Sequence, residues 1–291
     1  MKILKKSFRS GVQLYKSALV AIVLAGSVIQ TEATVYTLSS TASGVTYSAL
    51  FDTGSGLTSW QINGANQLSL QSLYYSVGFG SLNLLSSPSV VTHGTAGLTA
   101  TYTVAETLSV ADSITLNGDT LGEQIKLTNL SGSTSTLSLF QFSDFVLGGA
   151  TGSQTLNMTI NNSSQATANQ SGGGVALQWL GQLTGGAVEV QANNSGALFG
   201  PFIGSGNVLN NTPLSASGNA VFGYEFDAAN LISGNSLTVS ETAALVVPEP
   251  SSLALIAFGT LGAVLLHNRR QEAQKVSSNC HSLTNKNQEI L

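Results

Sequence analysis

Apolar and polar residues alternate along much of the central part of this 291-residue chain. The segments 45–51 (VTYSALF), 98–104 (LTATYTV) and 222–227 (FGYEFD) each place their large apolar residues at every second position. Strict alternation over roughly four to eight residues is the pattern of a β-strand with one buried face. A further strand is predicted at 236–247 (SLTVSETAALVV), directly before two prolines. The pattern therefore predicts a body made of strands.

Turn signals separate these strands. Asn63-Gly64 and Asn117-Gly118 suit tight hairpins, because both residue types tolerate positive φ. The spacing of strands and turns predicts an all-β fold, an antiparallel β-sandwich or jelly roll over residues 34–247. The low-complexity stretch at 161–174 (NNSSQATANQSGGG) predicts a long flexible loop within this body.

The N-terminus has the parts of a secretory signal. Five basic residues precede or adjoin a thirteen-residue apolar run at 17–29, and Ala33 offers a small residue for cleavage. We expect a signal peptide over residues 1–33. The alternative is an uncleaved anchor, but thirteen residues fall short of the roughly 20 that a stable span needs.

A second apolar segment lies near the C-terminus. Pro248 and Pro250 block continuation of the preceding strand, since neither can donate a backbone hydrogen bond. The following residues predict a short transmembrane helix at 251–267. Arg269 and Arg270 mark its cytoplasmic side by the positive-inside rule, which leaves 271–291 as a polar cytoplasmic tail.

The order Pro248-Glu249-Pro250, apolar helix, Arg269-Arg270 resembles the PEP-CTERM sorting signal of Gram-negative bacteria, over residues 248–270. The resemblance implies recognition by an exosortase, processing near the Pro-Glu-Pro, and a surface or matrix protein linked to exopolysaccharide and biofilm. The membrane would hold the chain through the C-terminal helix before processing. In this family the chain usually ends soon after the basic cluster, so the tail after Arg270 is a departure from the family pattern.

Charge and cysteine content narrow the function classes. Only 8% of residues are charged, against about 25% in typical soluble domains. Residues 35–247 hold ten Asp and Glu but one basic residue, Lys126, which gives a formal charge of −9. Such a body repels phosphate backbones, so we expect no nucleic-acid partner. The single cysteine, Cys280, lies outside the body and excludes a disulfide framework there.

Candidate catalytic residues are few. His93 is the only histidine of the body, and we interpret it as a loop residue without a catalytic role. Glu225 and Asp227 share a strand face and suit either a glycosidase pair or solvent-facing acids. Glu123 breaks an apolar face, which we interpret as a carboxylate at a strand rim. Asp112 and Asp119 flank a turn and leave weak calcium binding open.

Aromatic residues are the remaining candidates for a ligand contact. Trp60 and Trp179 could stack on sugar rings, although large aromatics in β-domains are more often core. We expect no cofactor and no metal. The leading hypothesis is a sorted surface protein without catalytic activity. The alternatives are a carbohydrate-binding module for exopolysaccharide and a polysaccharide-active hydrolase or lyase.

Overall fold

The computed structural model describes residues 33–78, 80–194 and 209–247. Within them the fold is almost entirely antiparallel strands in two sheets, with one short 3₁₀ turn at Leu147–Gly149. The prediction of an all-β antiparallel sandwich is confirmed. The predicted signal peptide before residue 33 and the predicted helix at 251–267 lie outside the described residues.

The first sheet has its strands in the order β1, β2, β3, β5, β11, β17, β15, with β4 pairing β3 and β6 pairing β5. Their bounds are β1 Val35–Ala42, β2 Val45–Asp52, β3 Gly56–Ile62, β4 Ala65–Asn66, β5 Leu68–Val77, β6 Asn83–Leu84, β11 Ser135–Phe145, β15 Ala187–Asn194 and β17 Ala220–Leu231.

The second sheet has the order β16, β12, β13, β14, β18, β10, β9, β8, β7. Its strands are β7 Val90–His93, β8 Gly97–Val104, β9 Leu108–Asn117, β10 Thr120–Asn129, β12 Gln154–Asn162, β13 Gln165–Gly172, β14 Val175–Leu183, β16 Ser215–Gly218 and β18 Ser236–Val246. The last strand, β18, is therefore a central strand and ends one residue before Val247 and the prolines.

The core lies between the two sheets and is rich in aromatic rings. Phe145 and Phe222 of the first sheet meet Trp179 of the second, with ring centroids 5.7 and 6.0 Å from the indole. The Tyr224 hydroxyl donates to the Trp179 carbonyl oxygen across the sheets at 2.8 Å. Edge-to-face pairs of this kind contribute about 0.5–1.5 kcal/mol beyond area burial. These contacts fix how the sheets face each other.

A glycine admits the aromatic rings at the centre of this core. A Cβ at Gly181 in β14 would lie 3.0–3.1 Å from the rings of Tyr224 and Phe226. That distance is shorter than ordinary van der Waals contact, so a side chain there would displace a ring. The small residue is therefore required by packing.

The predicted flexible loop at 161–174 is wrong. Residues 165–172 form β13, which pairs with β12 on one side and β14 on the other. Ala166, Ala168 and Gln170 are buried, so small residues in alternation fill the inner face. The low-complexity composition reflects a tightly packed strand with a polar outer face. Tight turns remain only at its two ends.

Candidate functional site

The outward positions of the second sheet form rows of uncharged polar side chains. One row crosses six strands, because each residue is the register partner of the next. Its members are Thr99, Ser113, Gln124, Ser240, Gln182 and Gln165. Gln124, Ser240 and Gln182 at its centre are exposed, and adjacent members lie on strands about 4.8 Å apart. The row presents hydroxyl and amide groups to solvent.

This outer face carries little charge. On the outward positions of β8, β9, β10, β14 and β18, all of which are described, Lys126 is the one charged side chain. Thr99 Oγ1 and Ser113 Oγ lie 3.0 Å apart, and Thr128 Oγ1 and Ser236 Oγ lie 2.8 Å apart. Side-chain hydroxyls therefore bond to one another across strands, and no ion pairs are needed to order the face.

Two glycines open depressions in the face. Gly97 and Gly122 lie in the neighbouring row, on either side of Thr115. The depressions have volumes of about 320 and 310 Å³ and adjoin each other at Ser113 and Thr115, which line both, so together they form a shallow groove interrupted at these two residues. We call it the hydroxyl groove. Its polar lining comes mainly from Thr99, Ser113, Thr115, Gln124 and Ser240.

The inner face of the same strands holds a cluster of three acids. Asp112, Glu123 and Glu241 come from β9, β10 and β18, and each is at most 4% exposed. Glu123 and Glu241 are direct register partners. Glu123 is thus buried in mid-strand, and its predicted place at a strand rim is wrong. Lys126, the only Lys or Arg of the described residues, points to the opposite face of β10.

Two glutamines of the first sheet complete this acid cluster. Gln71 Nε2 donates to Glu123 Oε2 at 2.5 Å. In the orientation that satisfies its amide, Gln141 donates to the Glu241 carboxyl and accepts from Ser143 Oγ at 3.0 Å. Asp112 and Glu241 each hydrogen-bond to Glu123. Two carboxyl groups can hydrogen-bond to each other only when one of them carries a proton. The cluster therefore holds protons that lie between neighbouring carboxyl groups.

Burial raises the pKa of all three acids. For Asp112 and Glu241 the charge of Glu123 adds to the effect of burial, and both pKa values lie well above the ordinary range. For Glu123 the hydrogen bonds from Gln71, Asp112 and Glu241 oppose the effect of burial on the pKa. Since no basic residue compensates their charge, the protonated forms are favoured. The cluster is a neutral or near-neutral polar network.

This cluster has no room for an organic ligand. The cavity beside Gln71, Asp112 and Glu123 has a volume of about 10 Å³, which is roughly the space of one water. Among the residues that the structure describes, no group of three or more His, Cys, Asp or Glu could hold a metal ion. Asp112 faces the interior while Asp119 is exposed, so this pair does not converge on a cation. The cluster is an element of the core.

A second group of acids lies on the outer face of the first sheet. Glu225 is 1% exposed, so the interpretation of Glu225 as a solvent-facing acid is wrong. Its Oε2 accepts from the Leu209 amide at 2.5 Å, and Asp227 accepts from Ser138 Oγ at 2.5 Å. Burial first, and then the charge of Asp227, raise the pKa of Glu225 to about 8. Glu189 is its register partner on β15.

The geometry of Glu225 and Asp227 differs from that of a glycosidase pair. The two carboxyls hydrogen-bond to each other, whereas retaining glycosidases hold theirs about 5 Å apart across the sugar. Leu209, which packs with Phe140, Phe142 and Val221 in a small apolar cluster, also lies against Glu225. Glu225 is buried and Asp227, which is half-buried, bonds to it, so the two carboxyls do not stand apart on either side of a sugar ring.

The two tryptophans do not form a sugar contact. Trp60 and Trp179 are both 0% exposed, because each faces the core between the sheets. The prediction of sugar contact at these residues is therefore wrong, and the core interpretation holds. Composition alone does not separate the two roles; the inward positions of Trp60 on β3 and Trp179 on β14 do.

The other predicted residues lie at the margins of the described chain. His93 ends β7 and is not in a loop; its Nε2 lies 2.9 Å from the Thr37 carbonyl oxygen. Ala33 is exposed and is separated from the start of β1 by one residue, Thr34. Cleavage after Ala33 stays a prediction. Pro248, Glu249, Pro250, Arg269 and Arg270 lie outside the described residues. No helix in the described part has the length and hydropathy of a membrane span.

Comparison with protein families identifies the C-terminal signal. The model of the PEP-CTERM protein-sorting motif matches residues 246–270. The prediction of this motif from Pro248-Glu249-Pro250, the apolar run and Arg269-Arg270 is confirmed. The motif implies export, membrane-anchored sorting in Gram-negative bacteria and processing by an exosortase. No curated protein matches the chain.

Several solved structures resemble the chain weakly. An aldose epimerase homologue from C. elegans is 10% identical with a TM-score of 0.47, covering 75% of this chain and 100% of that one. A galactose mutarotase related enzyme from Lactobacillus acidophilus is 8% identical with a TM-score of 0.46, and the match covers 73% of this chain and 97% of that one. A mutant of the heparan sulfate lyase HepC from Pedobacter heparinus is 9% identical with a TM-score of 0.40, and the match covers 76% of this chain and 36% of that one. Such distant likenesses assign no activity to this chain.

Proposed function

We propose that this chain is a surface or extracellular-matrix protein of a Gram-negative bacterium, delivered by exosortase sorting and associated with exopolysaccharide, without catalytic activity of its own. The observation that carries the proposal is the PEP-CTERM motif at 246–270, which begins at the last residue of β18. The folded body and the sorting signal therefore adjoin with no spacer between them.

The position of β18 supports delivery of the body as a folded unit. The strand lies between β14 and β10 at the centre of the second sheet, and Val246 still pairs with Ala176. A cut near Pro248-Glu249-Pro250 would leave every strand residue of β18 in place. Processing would then release or transfer the body without loss of a sheet hydrogen bond.

The absence of catalysis is proposed from the acids of the body. Of the described carboxyl groups, the closest sets are the interior cluster of Asp112, Glu123 and Glu241 and the pair Glu225 and Asp227. The first is sealed in the core, and in the second Glu225 is buried against Leu209 while Asp227 is half-buried and bonded to it. Hydrolysis of a glycosidic bond needs two carboxyls that reach the substrate. Purified mature protein is expected to release no sugar from polysaccharides; turnover would contradict the proposal.

Intact mass of the mature protein tests the sorting proposal. Protein from native cells is expected to begin at Thr34 and to end near Pro250, and to fractionate with the envelope or matrix. Deletion of the exosortase should leave a C-terminus at Leu291. A matched Pro248→Ala, Pro250→Ala variant should behave like the deletion. A C-terminus at Leu291 in cells with exosortase would contradict the proposal, as would a cytoplasmic body.

A carbohydrate-binding module is the second candidate function. The hydroxyl groove favours it, because the groove is concave, open and lined by hydroxyl and amide groups. If the chain is a carbohydrate-binding module, the body itself binds exopolysaccharide. In the first proposal the body is only located with the exopolysaccharide at the cell surface. A binding measurement on the groove separates the two versions.

A further inference from the structure

We infer that the hydroxyl groove of the second sheet is a binding site for a neutral polysaccharide chain. The assignment rests on the proposed function, in which the body meets exopolysaccharide outside the cell. It adds the location of the contact, the residues that make it and the charge class of the glycan.

The glycines of the groove supply the first argument. Neither Gly97 nor Gly122 has the positive φ that requires glycine. A Cβ at Gly97 would meet its nearest atoms at 3.6 and 3.9 Å, which is ordinary contact, and a Cβ at Gly122 would lie 2.9 Å from Thr115 Oγ1, whose hydroxyl donates to the Gly122 carbonyl oxygen. Glycine inside a strand weakens it, and often marks close approach of a ligand. The missing side chains are what create the groove.

The chemistry of the lining supplies the second argument. Thr99, Ser113, Thr115, Gln124 and Ser240 offer hydroxyl and amide groups that both donate and accept. Sugar hydroxyls do the same, so the two surfaces match without any charge. Glu123 and Glu241 contribute only backbone to the groove, because their side chains point into the core. Among the described residues no Lys or Arg lines it to pair with a uronate or sulfate group, and the Nε2 of His93, the one histidine in its wall, lies 2.9 Å from the Thr37 carbonyl oxygen.

The spacing of the row supplies the third argument. Neighbouring strands lie about 4.8 Å apart, which is close to the length of one sugar ring along a chain. A glycan crossing the strands can therefore meet one polar side chain at each sugar. Because sheets twist by roughly 20–25° per strand, only about three or four positions point in one direction. The residues of the groove at the middle of the row are Ser113, Gln124 and Ser240.

The test uses native gels that contain a polysaccharide and the full-length chain purified in detergent. The probes are hydroxyethyl cellulose and dextran as neutral polymers and alginate as an anionic one. We expect the chain to be retarded by at least one neutral polymer and not by alginate. Gly97→Thr fills the groove and should weaken the binding by roughly tenfold or more, as the loss of one or two hydrogen bonds would.

The matched control is Ala111→Thr, which adds the same side chain to the same sheet face one row outside the groove. It should bind as the parent does, and thermal unfolding should show that both variants are folded. Equal binding by Gly97→Thr and the parent would overturn the assignment, as would a preference for alginate. Self-association that Gly97→Thr abolishes would assign the groove to a second copy instead.

These outcomes separate the inference from the proposed function. A chain that is sorted to the surface but ignores both neutral polymers overturns the groove assignment and leaves the sorting proposal intact. A chain that binds a neutral polymer in gels but remains cytoplasmic in native cells overturns the sorting proposal and leaves the groove assignment intact.

Discussion

The two faces of strands β9, β10 and β18 differ in a way that reverses the usual arrangement. Acids occupy the inward positions and uncharged polar residues occupy the adjacent outward ones. The neighbours are Asp112 and Ser113, Glu123 and Gln124, and Glu241 and Ser240. Burial raises the pKa of the inner side chains and so favours their protonated forms, while the outer ones need no charge to stay hydrated. Charge in this sheet is therefore minimised on both faces, by different means.

The difference changes how the composition is understood. Four of the ten acids in 35–247 are buried, namely Asp112, Glu123, Glu225 and Glu241. The formal charge of −9 therefore overstates the charge that the surface presents. The expectation that the body repels nucleic acid stays a prediction, and a weaker one in electrostatic terms. The six acids that are not buried and Lys126 still give the body a formal charge of −5, so it is the outward face of β8, β9, β10, β14 and β18, whose one charged side chain is Lys126, that suits a neutral partner.

The largest expected effect is that of pH on stability. The inner acids have pKa values raised above their unfolded-state values, so their contribution is fully present below about pH 4 and is lost as pH rises through the raised pKa. Glu225 extends the loss to about pH 8. The unfolding free energy should fall by roughly 1.4 kcal/mol per pH unit for each proton that only the folded chain retains.

Urea unfolding between pH 4 and pH 9 measures this dependence. The variant Asp112→Asn, Glu241→Gln keeps the polar shapes and removes two of the titrating groups, so its profile should be flatter. Glu225→Gln should reduce only the loss of unfolding free energy that continues up to about pH 8. A stability maximum at neutral pH in the parent protein would show that the inner acids are ionised, and that the two faces do not differ as argued.

The next largest effect is expected at the centre of the acid cluster. Glu123→Ala removes the group to which Gln71, Asp112 and Glu241 all hydrogen-bond, and leaves their polar atoms unsatisfied in the core. The unfolding free energy should fall by about 3 kcal/mol. Glu106→Ala, at an exposed turn, is the control and should change it by less than about 0.5 kcal/mol. Equal effects would mean that the cluster contributes no stability.

The sequence predicts the strands of this fold well and the contacts between them poorly. Alternation at 45–51 and 98–104 identifies β2 and β8 because one face of each is buried. The meeting of Glu123 with Glu241 depends on the order of the strands, which sets β10 beside β18 and so places residues 118 positions apart side by side. No local pattern contains that order.

The candidate groove has a signal in the sequence. Gly97 and Gly122 interrupt strand patterns, and an isolated glycine in a strand suggests a bulge or a close approach. Trp60 and Trp179 are the more conspicuous candidates for a sugar contact in the sequence, but both are buried in the core. The hydroxyl groove consists of common polar residues, which become distinctive only when the register of four strands brings them together.

A matched pair of glycines sharpens the comparison of the two faces. Gly181→Ala on the inner face of β14 pushes a methyl against Tyr224 and Phe226, and should lower the unfolding free energy by about 1–3 kcal/mol. Gly97→Ala on the outer face makes only ordinary van der Waals contacts, and should raise it by roughly 0.5–1 kcal/mol because glycine weakens a strand. Thermal unfolding of both variants measures the difference. Two changes of the same sign would contradict the argument that packing requires only the inner glycine.

The smallest effect is expected at Gln124, next to Glu123 on the same strand. Its side chain is exposed at the middle of the outer row. Gln124→Ala should therefore change the unfolding free energy by less than about 0.5 kcal/mol, while Glu123→Ala one position away costs several times more. Urea unfolding of the two variants under one buffer makes the comparison direct. A loss above about 1 kcal/mol at Gln124 would mean that the outer row is held in a packed contact in solution, and the groove would then be an interface within the folded protein rather than an open site.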